Sequence, residues 1–124
     1  MFKDTKAFSG FAVGDVEAAQ RFYGETLGIE TSVEYGMLTL HLAGGARPTL
    51  VYPKPDHEPA SYTILNFPVD DIDTTVDALV QQGVEIDRYD GIDHDDRGIA
   101  TPPSGPRIAW FKDPAGNILS VMQG

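Results

Sequence analysis

The chain has three histidines that are candidates for general acid–base chemistry or metal binding: His41, His57 and His94. The chain has no cysteine, which excludes a thiolate nucleophile, a thiolate metal site and a disulfide framework. His41 lies in an alternating apolar and polar segment that predicts a strand, and it is the best single candidate for a ligand or a general base. The competing interpretation is a histidine that only makes a structural hydrogen bond. His57 lies beside Glu58 in a proline-rich segment, where solvent exposure accounts for it.

His94 belongs to an acidic segment, Asp93 to Gly98, that begins like a calcium-binding loop. Acidic residues stand at its first and third positions and a glycine at its sixth. Arg97 at the fifth position and Ser104 at the twelfth do not supply the oxygen ligand and the bidentate glutamate that the motif needs. We therefore expect a solvated acidic loop, whose glycines and length would also suit a mobile lid over a binding site.

Composition narrows the class of partner. Nineteen acidic against nine basic residues give a net charge of −10, which disfavours nucleic acid and anionic membranes and leaves neutral or cationic ligands as easier partners. No GxSxG, P-loop or GxGxxG motif is present, so nucleophilic hydrolysis, phosphate binding and dinucleotide binding lack a motif. No apolar run predicts a secretory signal or a membrane span, and we expect a cytoplasmic protein with no membrane partner.

A repeated pattern organises the chain. Phe8 to Glu17 returns as Ile64 to Asp73, and each copy is an apolar run, an aspartate and then a helical pattern. The aspartates that precede the helices, Asp15 and Asp71, are 56 residues apart. A fixed period of this kind indicates two copies of one supersecondary unit. Each copy is too small to bury its own apolar face, so we expect the two to share a core or a concave surface.

The first copy predicts a βαβββ module over residues 1–53. A strand over residues 6–13 leads to Asp15 as a helix N-cap, the helix runs from Val16 to Leu27, and Gly28 ends it. Three strands are expected to follow, over Glu30 to Tyr35, Met37 to Ala43 and Pro48 to Tyr52. Prolines stiffen the crossing over residues 54–60 that connects this module to the next.

The second copy predicts a second βαβββ module over residues 61–124. Its expected elements are a strand over Ser61 to Val69, a helix over Asp71 to Gln82, and strands over Val84 to Asp90, Arg107 to Lys112 and Ile118 to Gln123. The acidic loop fills Gly91 to Pro106. No linker separates independent domains, so residues 1–124 are expected to form a single domain of two modules.

Two stretches carry a family resemblance: Val13-Gly14-Asp15 followed by Arg21 to Gly28, and Trp110 to Asn117 with its Asp-Pro-Ala-Gly-Asn hairpin. In this order and spacing they resemble the vicinal oxygen chelate superfamily of glyoxalases, bleomycin resistance proteins and ring-cleaving dioxygenases, over almost the entire chain. The resemblance implies an α+β fold in which two tandem βαβββ modules form a cup-shaped mixed sheet. It implies no single activity, because members include lyases, dioxygenases, thiol transferases and binding proteins.

In metal-using members, the resemblance places ligands near the start of each module's first strand and on each module's last strand. Here those positions hold Phe8 and Ile64, then Ser120 in the second module and Thr49 or Val51 in the first. These side chains are not a set of imidazole and carboxylate donors for a divalent cation. We therefore expect no metal and no other cofactor.

Alternation along the strands predicts which residues face the concave side. His41 should point there if the leucines at 38, 40 and 42 lie under the helix. Trp110 is the only tryptophan and is large enough to stack on a planar ligand. The candidate ligand-binding residues are Phe8, His41, Tyr52, Ile64, Asn66, Trp110, Ser120 and Met122. The alternative is that these residues fill a core or a subunit interface.

The leading hypothesis is a metal-independent protein, similar to the bleomycin resistance branch, that holds a small aromatic or cationic ligand in the cup between modules. The alternative is a metal-dependent lyase or dioxygenase with a rearranged site around His41, so catalysis is left open. A third possibility is an interaction or scaffold module without chemistry. Unpaired sheet edges and apolar faces also predict a homodimer.

Overall fold

The computed structural model describes all residues from Met1 to Gly124, and the chain divides into two units, Met1–Glu58 and Pro59–Gly124. Each unit contains one β-sheet and one principal helix. The division falls inside the proline-rich crossing. The α+β class predicted from the sequence is confirmed.

The first unit has a four-stranded sheet in the order β1-β4-β3-β2. Strands β1 and β4 are parallel, and the β3 pairs are antiparallel. Its elements are β1 (Gly10–Val13), α1 (Val16–Gln20) continued by π-helical turns (Arg21–Thr26), β2 (Thr31–Glu34), β3 (Met37–Leu42), a 3-10 turn (Ala43–Gly45) and β4 (Arg47–Pro53). The widened helical turns are a departure from the single α-helix expected, and Leu27 N–H there donates to Phe22 O, five residues back.

One face of this sheet forms the core of the first unit. Leu38, Leu40 and Val51 are fully buried, and Leu38 lies opposite Val51 in the register. Phe11 is in register with Val51, and its ring lies 5.8 Å from the ring of Tyr23 in the helical segment. Leu38 and Leu40 therefore face the helical segment, which is the condition under which His41 was expected on the opposite face.

The second unit has a three-stranded sheet in the order β5-β7-β6. Its elements are β5 (Thr63–Pro68), α2 (Ile72–Gln81), β6 (Arg107–Lys112) and β7 (Ile118–Gln123). Strands β5 and β7 are parallel, whereas β6 and β7 are antiparallel. The helix buries Ile72, Val76 and Leu79, and the sheet contributes Phe111 and Leu119 to the core. The helical pattern also places Val80 near the buried face formed by Ile72, Val76 and Leu79. Val80 is nevertheless 55% exposed, because it lies at the edge of that face in the last turn of the helix.

The strand expected over Val84 to Asp90 does not form. This segment pairs with β6 at one bridge only, between Asp87 and Trp110. The N–H of Tyr89 donates to the Nε2 atom of His94 at 3.0 Å instead of extending a ladder along β6. A side chain in the acidic loop thus takes the backbone donor that a strand would have used.

The duplicated aspartates perform the same task in both units. Asp15 Oδ1 accepts hydrogen bonds from the N–H groups of Glu17 and Ala18, at 3.0 and 3.2 Å. Asp71 Oδ1 accepts from the N–H of Thr74 at 3.2 Å, and its Oδ2 accepts from the Thr74 hydroxyl at 2.9 Å. Each aspartate satisfies donors that the first helical turn leaves unpaired. The repeat seen in the sequence is therefore a repeated strand–cap–helix junction.

We expect Asp71→Ala to lower the Tm by a few degrees near neutral pH, because α2 loses its N-cap. The Thr74 hydroxyl and N–H bonds lower the pKa of Asp71 below its ordinary 3.8. A lowered pKa gives stability that is present above pH 3.8 and is lost as the pH falls through the folded-state pKa. The Tm difference between the two proteins should therefore shrink in acid, which thermal melts by circular dichroism across pH will measure.

The neighbouring carboxylate supplies the control for this experiment. Asp70 is exposed and does not cap α2, so Asp70→Ala removes the same charge without removing the cap. Equal Tm losses in the two variants would contradict the capping role of Asp71.

Candidate functional site

The site begins with three residues that the register of the second sheet places side by side. Asn66 on β5 pairs with Ser120 on β7, and Ser120 pairs with Trp110 on β6. The side chain of Gln123 lies on the face of β7 that packs against α2, because its Oε1 atom accepts a hydrogen bond from Ile72 N–H of α2 at 2.9 Å. Strand alternation then places the Asn66–Ser120–Trp110 row on the other side, which we call the helix-free face.

Ser120 lies at the centre of the row and is fully buried. Its hydroxyl donates to Asn66 Oδ1 at 2.5 Å. No surface of Ser120 is exposed, so its contact with Asn66 is the polar interaction that the structure shows for it. Its hydrogen bond fixes the side chain of Asn66, which is exposed. Ser120 therefore sets the orientation of the Asn66 side chain.

Trp110 is half-buried and carries two perpendicular neighbours. The Tyr89 ring lies 5.4 Å from it at 87°, and the His94 ring lies 6.2 Å from it at 75°. Neither ring lies parallel to the indole plane, so neither forms a parallel-stacked pair with Trp110. An apolar row of Ile108, Met122 and Pro68 lies alongside on the same face.

Two polar groups beside Trp110 complete the local electrostatics. Asp87 forms a bridge with Trp110 and an ion pair of 3.0 Å with Lys112. The Tyr89 hydroxyl is buried without a hydrogen-bond partner. Burial raises the pKa of Tyr89 above 10.0, and the charge of Asp87 raises it further, while Lys112 lowers it. The phenol is therefore a neutral hydrogen-bond donor near neutral pH.

The acidic loop is organised around His94. The Nδ1 atom lies 2.7 Å from Gly98 O, and a carbonyl only accepts, so Nδ1 carries the proton. Nε2 is then the acceptor for the N–H of Tyr89 at 3.0 Å. His94 thus connects the loop to the residue whose ring packs against Trp110.

Ion pairs fasten the same loop to α2. Arg97 donates to Asp77 at 2.9 Å and lies 3.9 Å from Asp73. Arg107, the first residue of β6 after the loop, donates to Asp73 at 3.0 Å. Asp95 Oδ1 accepts from the N–H groups of Arg97 and Ile99. These contacts give the loop a defined conformation beside the helix. The lid role expected for it stays a prediction.

The first unit holds the other three candidates. His41 and Tyr52 lie on the sheet face opposite to Tyr23, and Tyr52 is 39% exposed. The Nε2 atom of His41 lies 2.8 Å from the Ser32 hydroxyl oxygen, so the histidine already has a hydrogen-bond partner. Phe8 precedes β1 and is exposed.

In the second unit, the structure brings Asn66, Trp110, Ser120 and Met122 onto one face but leaves Ile64 outside the pattern. The register shifts between Thr63 and Leu65, so Ile64 is the extra residue of a β-bulge and alternation does not fix its face. Sequence reasoning also missed Tyr89 and its contact with Trp110. The available signal was the place of Tyr89 in the strand expected over Val84 to Asp90.

A sequence model of the Glyoxalase/Bleomycin resistance protein/Dioxygenase superfamily matches residues 8–121. The chain belongs to this superfamily. The family resemblance carried by the two sequence stretches is therefore confirmed. No curated protein has a significant sequence match to the chain. Neither of its helices has the length and apolar character of a membrane span.

Solved structures of superfamily members align over nearly the whole chain. TnmS3, an antibiotic-binding protein from Streptomyces sp. CB03234, is 26% identical with a TM-score of 0.71 and 97% coverage of both chains. A glyoxalase family protein from Enterococcus faecalis is 24% identical with a TM-score of 0.70, over 98% of this chain and 99% of its own. The fosfomycin resistance protein FosX from Listeria monocytogenes is 14% identical with a TM-score of 0.73, over 98% and 93%. The last two proteins share less than 25% of their residues with this chain, so their similarity establishes the fold alone.

The metal positions of this superfamily do not fit a metal in this chain. Phe8 and Ile64 have no donor atom, and the hydroxyl of Ser120 is used by Asn66. No group of three histidine, aspartate or glutamate side chains is arranged to hold a metal ion. The position of the last-strand ligand, which would need a carboxylate, is occupied by Ser120, and its hydroxyl is hydrogen-bonded to Asn66.

The loop that supports Trp110 can be tested through Gly98. This residue has φ +89°, and a Cβ atom there would lie 2.7 Å from Ile86 Cγ2. Gly91 has a similar φ of +83° but no atom within 4 Å of such a Cβ. Both alanine substitutions are strained by the positive φ, but only Gly98→Ala adds a steric clash. We expect Gly98→Ala to lower the free energy of unfolding by roughly 1–3 kcal/mol more than Gly91→Ala, measured by urea denaturation.

A second readout connects this test to the site. Displacing Gly98 O disturbs its bond to His94, so the fluorescence of Trp110 should change in Gly98→Ala and not in Gly91→Ala. Identical stability and fluorescence in the two variants would contradict the proposed support of Trp110 by the loop.

Proposed function

We propose that the chain is a metal-independent small-molecule-binding protein, similar to the antibiotic-binding members of its superfamily, with a small aromatic or cationic ligand. The observation that carries this proposal is the Asn66–Ser120–Trp110 row. It combines an exposed amide, a buried hydroxyl that orients the amide, and an indole with no parallel ring stacked on it. A mostly apolar surface with a few placed polar groups is typical of small-molecule sites.

The residues of the row favour binding over metal chemistry. Ser120 occupies the position of the last-strand metal ligand, and its hydroxyl group donates a hydrogen bond to Asn66 Oδ1. A neutral serine in this state is a poor ligand for a divalent cation, which prefers imidazole and carboxylate donors. The similarity to TnmS3, which is described as antibiotic-binding, supports a sequestering role.

Charge and aromaticity support the class of ligand. The net charge of −10 favours the approach of cations and disfavours anions. Trp110 offers a face for stacking or for a cation–π contact. Met122 and Ile108 add apolar surface beside the row. A planar aromatic compound, neutral or cationic, satisfies all three features.

The alternative of a metal-dependent lyase or dioxygenase around His41 has less support. The Nε2 atom of His41 is 2.8 Å from the Ser32 hydroxyl oxygen, and a metal at that atom would have to displace this contact. A homodimer and a cytoplasmic location stay predictions from the sequence. The exposed rings of Phe2, Tyr35 and Tyr62 are compatible with a second copy covering apolar surface.

The proposal predicts saturable binding of planar aromatic compounds that a chelator does not abolish. Suitable probes are substituted naphthalenes and the cation N-methylquinolinium, measured by quenching of the single tryptophan with and without EDTA. We expect Trp110→Leu to weaken binding roughly tenfold in equilibrium dialysis, because the stacking surface is lost. Tyr35→Leu removes an aromatic ring that is 94% exposed and outside the row, and it should leave the Kd unchanged.

Elemental analysis of the purified protein belongs to the same experiment. Near-stoichiometric zinc, manganese, nickel or iron, or binding that EDTA abolishes, would contradict metal independence. Equal losses of affinity in Trp110→Leu and Tyr35→Leu would contradict the placement of the ligand on the row.

A further inference from the structure

The hydrogen bond between Ser120 and Asn66 fixes which way the amide of Asn66 faces. The two side-chain atoms are 2.5 Å apart, a distance that suits an O–H···O bond and is too short for N–H···O. The serine hydroxyl is therefore the donor, and the atom of Asn66 that it reaches is the carbonyl oxygen. The Nδ2 group, with its two N–H donors, must point away from Ser120.

These two donors have no partner within the chain, and the residue that carries them is exposed. Asn66 therefore presents a directed pair of N–H groups on the helix-free face. The Tyr89 hydroxyl is also unpartnered, but its oxygen is buried, so Asn66 is the donor that a ligand reaches first. A group that meets Asn66 Nδ2 must accept a hydrogen bond.

The position of Trp110 sets the size of the ligand that could use both residues. Neighbouring strands are about 4.8 Å apart, so Asn66 and Trp110, two strands apart, are separated by about 10 Å at their Cα atoms. A planar ring system stacked on the indole would then carry its acceptor at the edge nearer to Asn66. One to three fused rings with an exocyclic oxygen cover this span.

The charge of the acceptor follows from the surroundings. A carboxylate or phosphate would have to approach a chain whose net charge is −10, which repels anions. A cationic nitrogen has no lone pair to offer Asn66. A neutral carbonyl oxygen accepts well and carries no net charge.

We propose that the ligand is an aromatic carbonyl compound whose carbonyl oxygen accepts a hydrogen bond from Asn66 Nδ2 while its ring stacks on Trp110. This inference rests on the proposed function and narrows its ligand class. In this assignment Asn66 determines specificity, and Ser120 acts through Asn66 by holding its carbonyl oxygen.

The test uses matched pairs of compounds that differ in one atom position. Acetophenone, 2-acetylnaphthalene and 2-acetylphenanthrene are each compared with the isopropenyl analogue, in which a C=CH2 group replaces C=O with nearly the same shape. Equilibrium dialysis against the full chain gives a Kd for each compound. We expect at least one ketone to bind roughly five- to tenfold more tightly than its alkene partner, as for one hydrogen bond.

Asn66→Asp tests the donor directly. The carboxylate still accepts from Ser120 but has no N–H group to offer, so the preference for the ketone should fall to one or reverse. Gln20→Glu makes the same amide-to-carboxylate change at an exposed position on α1 and controls for the added charge. It should leave the preference intact.

The outcomes separate this inference from the proposed function. Equal affinity for ketone and alkene in the unmodified protein overturns the carbonyl assignment, while saturable binding of both leaves the proposed function standing. A ketone preference that survives Asn66→Asp also overturns the assignment to Asn66. Failure of every compound to bind contradicts both.

Discussion

The hydrogen bond from the Ser120 hydroxyl to Asn66 is the interaction on which the interpretation of the site depends. It is a side-chain hydrogen bond between β5 and β7, which are parallel neighbours in the sheet and are the first and last strands of the second unit. A buried hydroxyl without a partner would be destabilising, so the serine requires an acceptor beside it. Asn66 supplies that acceptor and in return has its free donors fixed in direction. The exposed chemistry of the helix-free face is therefore set by a buried group.

The row differs from a cation site in the donors that it offers. A cation site needs several charged or imidazole donors pointing at one place. Here Phe8, Ile64 and Ser120 occupy the corresponding positions. The hydroxyl of Ser120 on the last strand makes a neutral hydrogen bond to Asn66. Neutral polar groups beside an indole favour a neutral or cationic aromatic compound over an anion.

The parts of the fold that the sequence predicted are those determined by local physics. Asp15 and Asp71 start helices because their side chains accept from the first-turn N–H groups, and that role depends on nearby residues only. The alternation of Leu38 and Leu40 placed His41 on the face away from the helix. The same reasoning found the row, since Asn66 and Ser120 each lie on an uninterrupted stretch of strand.

The parts that escaped prediction depend on contacts between distant residues. Ile64 lost its place in the alternation because of a bulge, which arises from the pairing of β5 with β7. Tyr89 packs against Trp110 because its N–H is held by His94, a side chain in a loop that the sequence indicated only as acidic and solvated. The burial of Ser120 was likewise invisible to alternation, which indicates the face of a residue but not its exposure.

The central claim is that a ligand binds at the Asn66–Ser120–Trp110 row, and a ¹H–¹⁵N correlation spectrum during titration with 2-acetylnaphthalene tests it most directly. Trp110 is the only tryptophan, so its indole N–H gives one identifiable signal. The account predicts the largest shifts at that signal, at the side-chain amide of Asn66 and at the backbone N–H groups of β7. Shifts confined to α2, or to His41 and Ser32, with the signals of the row unchanged, would contradict it.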